Sequence, residues 1–387
     1  MVRFHLWAPF KGNAKFKNLP RHLRIKNDGI SSQYLHEISS SKETEKLIMN
    51  YINTKFLLNE RPQGMPSDSC WVLETENITN LSNNEILIEA EYLSIDPYMR
   101  GRMNAGLSYA APVNLGDVMV GESVGRVVES KSKNYNVGDL VTVHQGWQTY
   151  IKAKDSDPTI IKVPESNLPS SVFLGTLGMP GRTAYFGLNH VGKPKAGETL
   201  VVSAASGAVG SVVGQLGKLM GCKVIGIAGG QEKSQYVANE LGFDQCIDYK
   251  NEDVADKLQE YCSNGIDIYF ENVGGDITRS VAKHLNKGAR VPVCGFISKY
   301  NSTDITSEET PFHVLGALNP KPEHRFFVVT EWMYKFVEAT SVLHDHVKNG
   351  DIKYRETITK GFENAPQALR DVLSGKNFGK QIIQIEL

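Results

Sequence analysis

The apolar residues of the chain follow two different patterns. Between residue 49 and about residue 175, short segments alternate apolar and polar positions and are separated by glycines, as in 85–92, 123–129 and 138–143. An alternation with a period of two predicts half-buried strands. This part of the chain is therefore predicted to be a β-rich, barrel-like domain. The strand-like run 381–385 at the far end is predicted to return to it.

From about residue 177 the pattern changes to apolar runs of strand length that alternate with helical stretches. The predicted strands cover 199–203, 222–228, 266–270 and 289–296. A regular alternation of strand and helix is typical of a doubly wound parallel sheet. The predicted fold class is α/β, with a doubly wound domain following the β-rich one. The segment 301–322 is predicted to be a mobile loop that covers the site.

A glycine-containing loop lies between the first of these strands and a helical stretch. Residues 204–210 read AASGAVG, between the apolar run 199–203 and the amphipathic stretch 211–220. Gly207 and Gly210 let the backbone turn sharply and approach a pyrophosphate at the helix N-terminus. This arrangement predicts the phosphate loop of a Rossmann dinucleotide-binding domain. A glycine-rich turn without a ligand is the alternative.

The residues after the second predicted strand indicate which dinucleotide binds. That strand ends in Gly229 and Gly230, where an NAD enzyme carries an acid for the ribose 2′-hydroxyl. Lys233 follows instead, and a cation at this edge would neutralise a 2′-phosphate. The predicted cofactor is therefore NADP. Two alternatives stay open: Lys233 is a solvated helix residue, or Glu232 turns towards the ribose.

Composition and charge exclude several classes of protein. The 387 residues are 41% hydrophobic and 22% charged, with a formal net charge of −1, as in ordinary globular proteins. No basic excess indicates a nucleic-acid partner, and the weakly polar stretch 199–220 is interrupted by glycines, so no membrane association is predicted. The five cysteines lack metal-ligand spacing, which argues against a zinc site or a disulfide framework.

The first 48 residues differ from the rest of the chain. They contain seven Lys or Arg and no acid up to position 27, a composition found in transit peptides. Pro9 and Pro20 would interrupt a long amphipathic helix. The favoured interpretation is an unstructured N-terminal extension of a cytoplasmic protein, and a mitochondrial targeting segment is the alternative.

Several motifs, in this order, resemble one family. The runs DPYMRGRM at 96–103, AASGAVGSVVGQLGK at 204–218, FENVGG at 270–275, CGFISKYN at 294–301 and GKNFGK at 375–380 resemble the zinc-independent medium-chain dehydrogenase/reductases. The branch that they resemble most contains prostaglandin reductase, leukotriene B4 dehydrogenase and 2-alkenal reductase. The resemblance implies a GroES-like catalytic domain over 49–176, completed by 355–387. It also implies a Rossmann NADP-binding domain over 177–354 and a homodimer.

The resemblance also implies the residues that contact the cofactor. Gly207, Ala208, Val209 and Gly210 match the phosphate loop, and Lys233 and Tyr249 match the ligands of the 2′-phosphate. The remaining matches are Asn272, the segment Cys294, Gly295, Phe296, Ile297, Ser298, Lys299 and Tyr300, then Phe327, Val328, Val329 and Asn377. From the residues alone, Phe327 to Val329 could equally be strand core, and Asn377 a turn residue.

The expected chemistry follows from a missing metal motif. Zinc-dependent relatives carry a GHE motif where this chain has Val120, Gly121 and Glu122, and His144 is then a surface or packing residue rather than a ligand. Hydride addition to a conjugated C=C bond needs only hydrogen-bond donors at the carbonyl oxygen. The resemblance implies that these donors are Tyr300, which matches a tyrosine beside the nicotinamide and substrate, and Tyr98, which matches a tyrosine of the substrate pocket. Each could instead be a structural tyrosine.

The predicted function is NADPH-dependent reduction of the C=C bond of α,β-unsaturated aldehydes and ketones. A tyrosine, a ribose hydroxyl or water could supply the proton at the α-carbon. Two alternatives stay open: a quinone oxidoreductase of the same fold, and an NADP-binding sensor without turnover.

Overall fold

The structure of the protein, a computed structural model, describes residues 51–106, 109–302, 304 and 307–386. The predicted extension 1–48 lies outside these residues. The described chain, Tyr51 to its C-terminal end, forms a single compact unit. No helix in this part of the chain is long and apolar enough to cross a membrane.

The β-rich part consists of an antiparallel pair and a larger mixed sheet. The pair is β1 (Ile52–Leu58) and β2 (Trp71–Asn77). The strands of the larger sheet are β3 (Glu85–Ile95), β4 (Ser123–Ser130), β5 (Leu140–Val143), β6 (Tyr150–Lys154), β7 (Ile161–Lys162), β14 (Glu356–Lys360) and β15 (Lys380–Gln384). Their order in the sheet is β14-β15-β3-β4-β5-β7, and β6 also pairs with β3.

The C-terminal strand completes this sheet beside its central strand. β15 runs antiparallel to the last residues of β3, from Tyr92 to Ile95. Ile383 of β15 enters a core that the N-terminal strands also build, and the adjacent Ile382 packs in a separate cluster with Val124 and Leu174. The chain end is therefore part of the layer formed by residues far away in sequence.

The second sheet is parallel throughout. Its order is β10-β9-β8-β11-β12-β13. The central strand β8 is buried at every residue, as expected for a sheet covered on both faces. The strands are β8 (Thr199–Ser203), β9 (Lys223–Ala228), β10 (Gln245–Asp248), β11 (Ile266–Phe270), β12 (Leu285–Val293) and β13 (Glu323–Phe326).

Helices lie on both faces of the parallel sheet, and two separate apolar clusters fill the layers between them. This arrangement is doubly wound, and it confirms the predicted α/β fold class. The α-helices are α1 (Tyr98–Arg102), α2 (Met179–Phe186), α3 (Gly210–Leu219), α4 (Gln231–Asn239), α5 (Val254–Tyr261), α6 (Gly275–Ala282), α7 (Pro311–Gly316), α8 (Phe336–Asn349) and α9 (Ala365–Leu373).

Short helical turns of other types connect these elements. Among the described residues, 3-10 turns cover Asp68–Cys70, Ser170–Leu174, Ile297–Lys299, Val329–Lys335 and Phe362–Asn364, and a π-helical turn covers Gly187–Gly192.

The structure corrects two sequence predictions. The strand predicted over 289–296 is β12, which begins at Leu285 and ends at Val293. The amide of Cys294 still pairs with Glu271 O, but the amide of Gly295 bonds to the same oxygen and does not advance along the neighbouring segment, so the regular pairing ends there. The segment 301–322, predicted as a loop, contains helix α7, which packs on α6.

Candidate active site

The predicted phosphate loop forms the turn between β8 and α3. Ala204, directly after β8, has a φ of 50°, which a non-glycine residue seldom adopts. A Cβ added to Gly210 would lie 2.4 Å from Ala204 O, so the first turn of α3 passes against the loop backbone. The first amides of a helix lack internal acceptors. The loop can therefore present N–H groups to an anion, as a pyrophosphate site requires.

A buried carboxylate orders the neighbouring strand end. Glu271, which follows β11, is fully buried and accepts hydrogen bonds from the hydroxyl of Tyr269 (2.9 Å) and from the amides of Val273 (2.8 Å) and Gly274 (3.0 Å). Asn272 is held against β8, since its Nδ2 donates to Ser203 O at 2.7 Å. The predicted residue Asn272 thus lies beside the start of the phosphate loop.

The segment 294–300 runs alongside the same strand end. The amide of Ile297 donates to Asn272 O at 3.1 Å, and that of Ser298 donates to Val273 O at 3.0 Å. Phe327 hydrogen-bonds through its amide to Val293 O, and its ring packs against Phe270 in the core. Only the backbone around Phe327 could therefore face a ligand.

The predicted 2′-phosphate residues follow two neighbouring parallel strands: Lys233 lies in α4, after β9, and Tyr249 directly follows β10. A Cβ on Gly229 would lie 2.7 Å from the hydroxyl of Tyr249, so that ring covers the turn into α4. Lys233 Nζ donates to Gly375 O at 2.8 Å, and burial together with nearby Lys250 lowers the pKa of Lys233. A doubly charged phosphate would relieve this repulsion between the two cations.

A second acid, besides Glu232, lies near this turn. Asp248 Oδ1 accepts the amide of Gly230 at 2.6 Å, and Oδ2 accepts Asn251 Nδ2 at 2.7 Å. The sequence pattern missed it because Asp248 comes from β10, one strand further along. Its oxygens hold the turn together.

The turn that contains Asn377 connects the two sheets. Asn377 Nδ2 donates to Gly379 O at 2.9 Å, and Gly379 forms an isolated bridge with Gly207 of the phosphate loop. Phe378 lies between Asn377 and Gly379 in the sequence, and its ring centroid is 3.8 Å from the Cζ atom of the Arg355 guanidinium. The predicted residues Gly207, Lys233 and Asn377 are thereby brought together.

Three tyrosines are candidate hydrogen-bond donors of the site. A Cβ on Gly295 would lie 2.6 Å from the hydroxyl of Tyr300. Burial, Cys294 and Tyr109 raise the pKa of Tyr300 far above its ordinary value. The pKa of Tyr98 is also well above its ordinary value. Burial is the largest cause, followed by Asp96, Glu122 and Tyr109, whereas Arg102 lowers this pKa. Tyr109 interacts electrostatically with both Tyr98 and Tyr300, and all three tyrosines carry a hydroxyl that can donate a hydrogen bond.

A buried ion pair holds the segment that carries Tyr98. Lys380 Nζ lies 2.7 Å from Asp96 Oδ1 and also donates to Ile95 O at 2.8 Å. Both side chains are almost fully buried, and Ser94 Oγ also donates to the Asp96 carboxylate. The C-terminal strand therefore fixes the turn from β3 into α1.

Comparison with known proteins places the chain in a family. Residues 54–161 match the model described as the N-terminal domain of oxidoreductase, and residues 208–322 match the model described as zinc-binding dehydrogenase. The chain is 44% identical to NADPH-dependent curcumin reductase of Escherichia coli over 86% of its own length and 97% of that protein. It is 40% identical to prostaglandin reductase 1 of Rattus norvegicus, over 84% of its own length and 97% of that protein. The chain belongs to the medium-chain dehydrogenase/reductase family.

A solved structure of this family has the same fold. CurA from Vibrio vulnificus in complex with NADPH superimposes with a TM-score of 0.80 and is 44% identical, over 86% of this chain and 99% of that one. Together with the curcumin and prostaglandin reductases, it identifies the branch of the family that the motifs indicated.

One matching family description mentions zinc, and the residues here do not fit that metal. The position of the motif histidine is Gly121, where a Cβ would lie 2.7 Å from Trp147 Cδ1. Glu122 is buried, and its Oε1 lies 3.8 Å from Nη2 of Arg182. Burial raises the pKa of Glu122, and Arg182 has the opposite, smaller effect. Across the described ranges, no three His, Cys, Asp or Glu side chains form a group that could hold a metal.

Sequence reasoning missed Tyr109, Glu271 and the Lys380–Asp96 pair as residues of the site. Glu271 lies within the FENVGG run, and a buried acid at a strand end was a usable signal. Lys380 and Asp96 are 284 positions apart, so no local pattern could have paired them.

Proposed function

We propose that the protein is an NADPH-dependent reductase that saturates the C=C bond of α,β-unsaturated aldehydes and ketones. The observation that carries this proposal is the position of Tyr300, whose hydroxyl lies 2.6 Å from where a Cβ on Gly295 would be, in the segment whose Ile297 amide donates to Asn272 O after β11. The names of two relatives, a curcumin reductase and a prostaglandin reductase, support the same chemistry.

The proposed roles of the tyrosines follow from the charge that the reaction develops. When bound, the reduced nicotinamide supplies a hydride, which an enone accepts at its β-carbon. Negative charge then develops on the carbonyl oxygen, and fixed O–H donors stabilise such charge. We assign this role to Tyr300, with Tyr98 as a second donor in the substrate pocket. No Lewis acid is needed for this step.

The proposed cofactor site uses the elements that the two sheets bring together. Residues 207–210 bind the pyrophosphate, and Lys233 and Tyr249 bind the 2′-phosphate. Asn272, the segment 294–300, the backbone of 327–329 and Asn377 hold the remainder. The N-terminus of α3 and the contact between Gly207 and Gly379 support this assignment.

Steady-state assays with NADPH test the function. Linear enones, long-chain oxo-lipids and phenolic enones are compared with a ring quinone, before and after exhaustive dialysis against a chelator. We expect faster turnover of at least one enone than of the quinone, unchanged by chelation. Faster quinone reduction would favour the quinone oxidoreductase. NADPH binding without turnover would favour the sensor, and a reversible loss on chelation would refute a metal-free reaction.

We also propose a homodimer. The side chains of Tyr334 and Val337 are 79% and 80% exposed, close in sequence to β13, which is an edge strand of the parallel sheet. Exposed apolar residues beside an edge strand favour association. Sedimentation velocity of the full chain measures the oligomeric state.

A further inference from the structure

The hydroxyl of Tyr98 has a histidine partner to which the proposed reaction has so far assigned no role. Tyr98 Oη lies 2.9 Å from His144 Nε2, and the two rings are inclined by only 25°. Tyr98 follows β3 and His144 follows β5. Because both strands run antiparallel to β4, their C-terminal ends lie at the same edge of the sheet. The sheet itself therefore fixes this pair.

The two members of the pair differ in their exposure to water. Tyr98 is partly buried, and its pKa is raised mainly by burial, whereas His144 is exposed. Imidazole is the side chain type that exchanges protons with water most readily near neutral pH. The pair thus extends from the interior of the site to the solvent.

The charged surroundings of Tyr98 make loss of its proton unfavourable. Asp96 from the turn after β3, Glu122 from the segment before β4 and Tyr109 all disfavour a phenolate, whereas Arg102 of α1 favours it. Glu122 also interacts electrostatically with His144. A phenolate formed at Tyr98 must therefore regain a proton quickly, and His144 is the group within hydrogen-bond distance.

We propose that His144 and Tyr98 form a proton relay from water to the reduced substrate. The inference rests on the proposed enone reduction, which consumes one hydride from the reduced nicotinamide and one proton. The O–H bond of Tyr98 breaks as a C–H bond forms at the α-carbon and neutralises the enolate. In its imidazolium form His144 loses the proton at Nε2 as the O–H bond of Tyr98 forms again, which leaves a neutral imidazole. Proton uptake from the solvent restores the imidazolium.

The test compares the full-length wild type with His144→Ala, Tyr98→Phe and the double variant, using NADPH and a good enone. His346→Ala is the matched control, because His346 is a partly exposed histidine of α8 that pairs with Asp351 at 3.1 Å. We expect His144→Ala to lower kcat by roughly 10- to 100-fold with little change in KM, since general acid catalysis contributes on this scale. The solvent deuterium isotope effect on kcat should increase.

Free imidazole separates a relay from a packing role. Because His144 is exposed, added imidazole should reach the vacated space and restore most of the kcat of His144→Ala. It should have no effect on Tyr98→Phe or on the double variant. A wild-type kcat in His144→Ala overturns the relay alone, as does a loss that imidazole does not restore. If the wild type reduces no enone, the proposed function fails and the relay fails with it.

Discussion

Tyr300 can be tested by removing a single oxygen atom. Tyr300→Phe keeps the ring, which packs edge-to-face with Phe296, and removes only the donor. If that donor stabilises the developing enolate, kcat/KM should fall roughly 10- to 1000-fold, or about 1.4–4 kcal/mol, with little change in the Kd for NADPH. Steady-state kinetics and fluorescence titration measure both. Tyr334→Phe, at an exposed tyrosine, is the control, and a wild-type kcat/KM in Tyr300→Phe would make Tyr300 a structural residue.

Lys233 is predicted to decide between the two dinucleotides. Lys233→Ala should weaken NADPH by about 1–3 kcal/mol, because a charge-assisted contact to the 2′-phosphate is lost, and should leave NADH nearly unchanged. Titration of both cofactors measures the difference. Lys257→Ala, which removes a surface pair with Glu260, should affect neither cofactor. Equal losses for both cofactors would contradict the assignment.

At the scale of elements, the turn from β8 to α3 depends on Gly210. Its added Cβ would meet backbone, which cannot move aside, so Gly210→Ala should lower the free energy of unfolding by about 1–3 kcal/mol and also weaken NADPH. In Gly214→Ala the new Cβ meets the ring of Phe243 in the core, so we expect lower stability with unchanged NADPH affinity in the folded protein. In Gly316→Ala the new Cβ has no neighbouring atom within 4 Å, so neither the stability nor the affinity for NADPH should change.

Urea unfolding followed by circular dichroism, together with NADPH titration, measures these three variants. A Gly210→Ala protein with wild-type affinity for NADPH would show that the loop tolerates a side chain and would weaken its assignment to the pyrophosphate.

The sequence was sufficient for those elements whose pattern is local. The apolar run of β8, the glycines after it and the amphipathic α3 occupy adjacent positions, so period and turn chemistry located them to within one residue. The end of β12 was missed because it depends on a tertiary contact. The amides of Cys294 and Gly295 both donate to the backbone oxygen of Glu271, which follows the neighbouring strand β11.

At the scale of the whole molecule, the Lys380–Asp96 pair joins the last strand to the turn before Tyr98. Lys380→Met leaves a buried carboxylate without its counter-ion, which should lower the free energy of unfolding by about 3–5 kcal/mol. Lys360→Met removes a pair with Glu386 that is largely exposed and should cost about 0–1 kcal/mol. Chemical denaturation measures both variants. Similar, small losses in the two would show that the buried pair is dispensable.

The position of β15 also has a consequence for biosynthesis. A ribosome releases β3 and β4 long before β15, and the segment of β3 from Tyr92 to Ile95 has no partner on its second side until β15 arrives. The nascent chain therefore carries an open strand edge while the parallel sheet is still being translated. Such edges recruit other chains. We therefore expect chaperones to protect this protein until β15 has been released, and not only until the first domain has emerged.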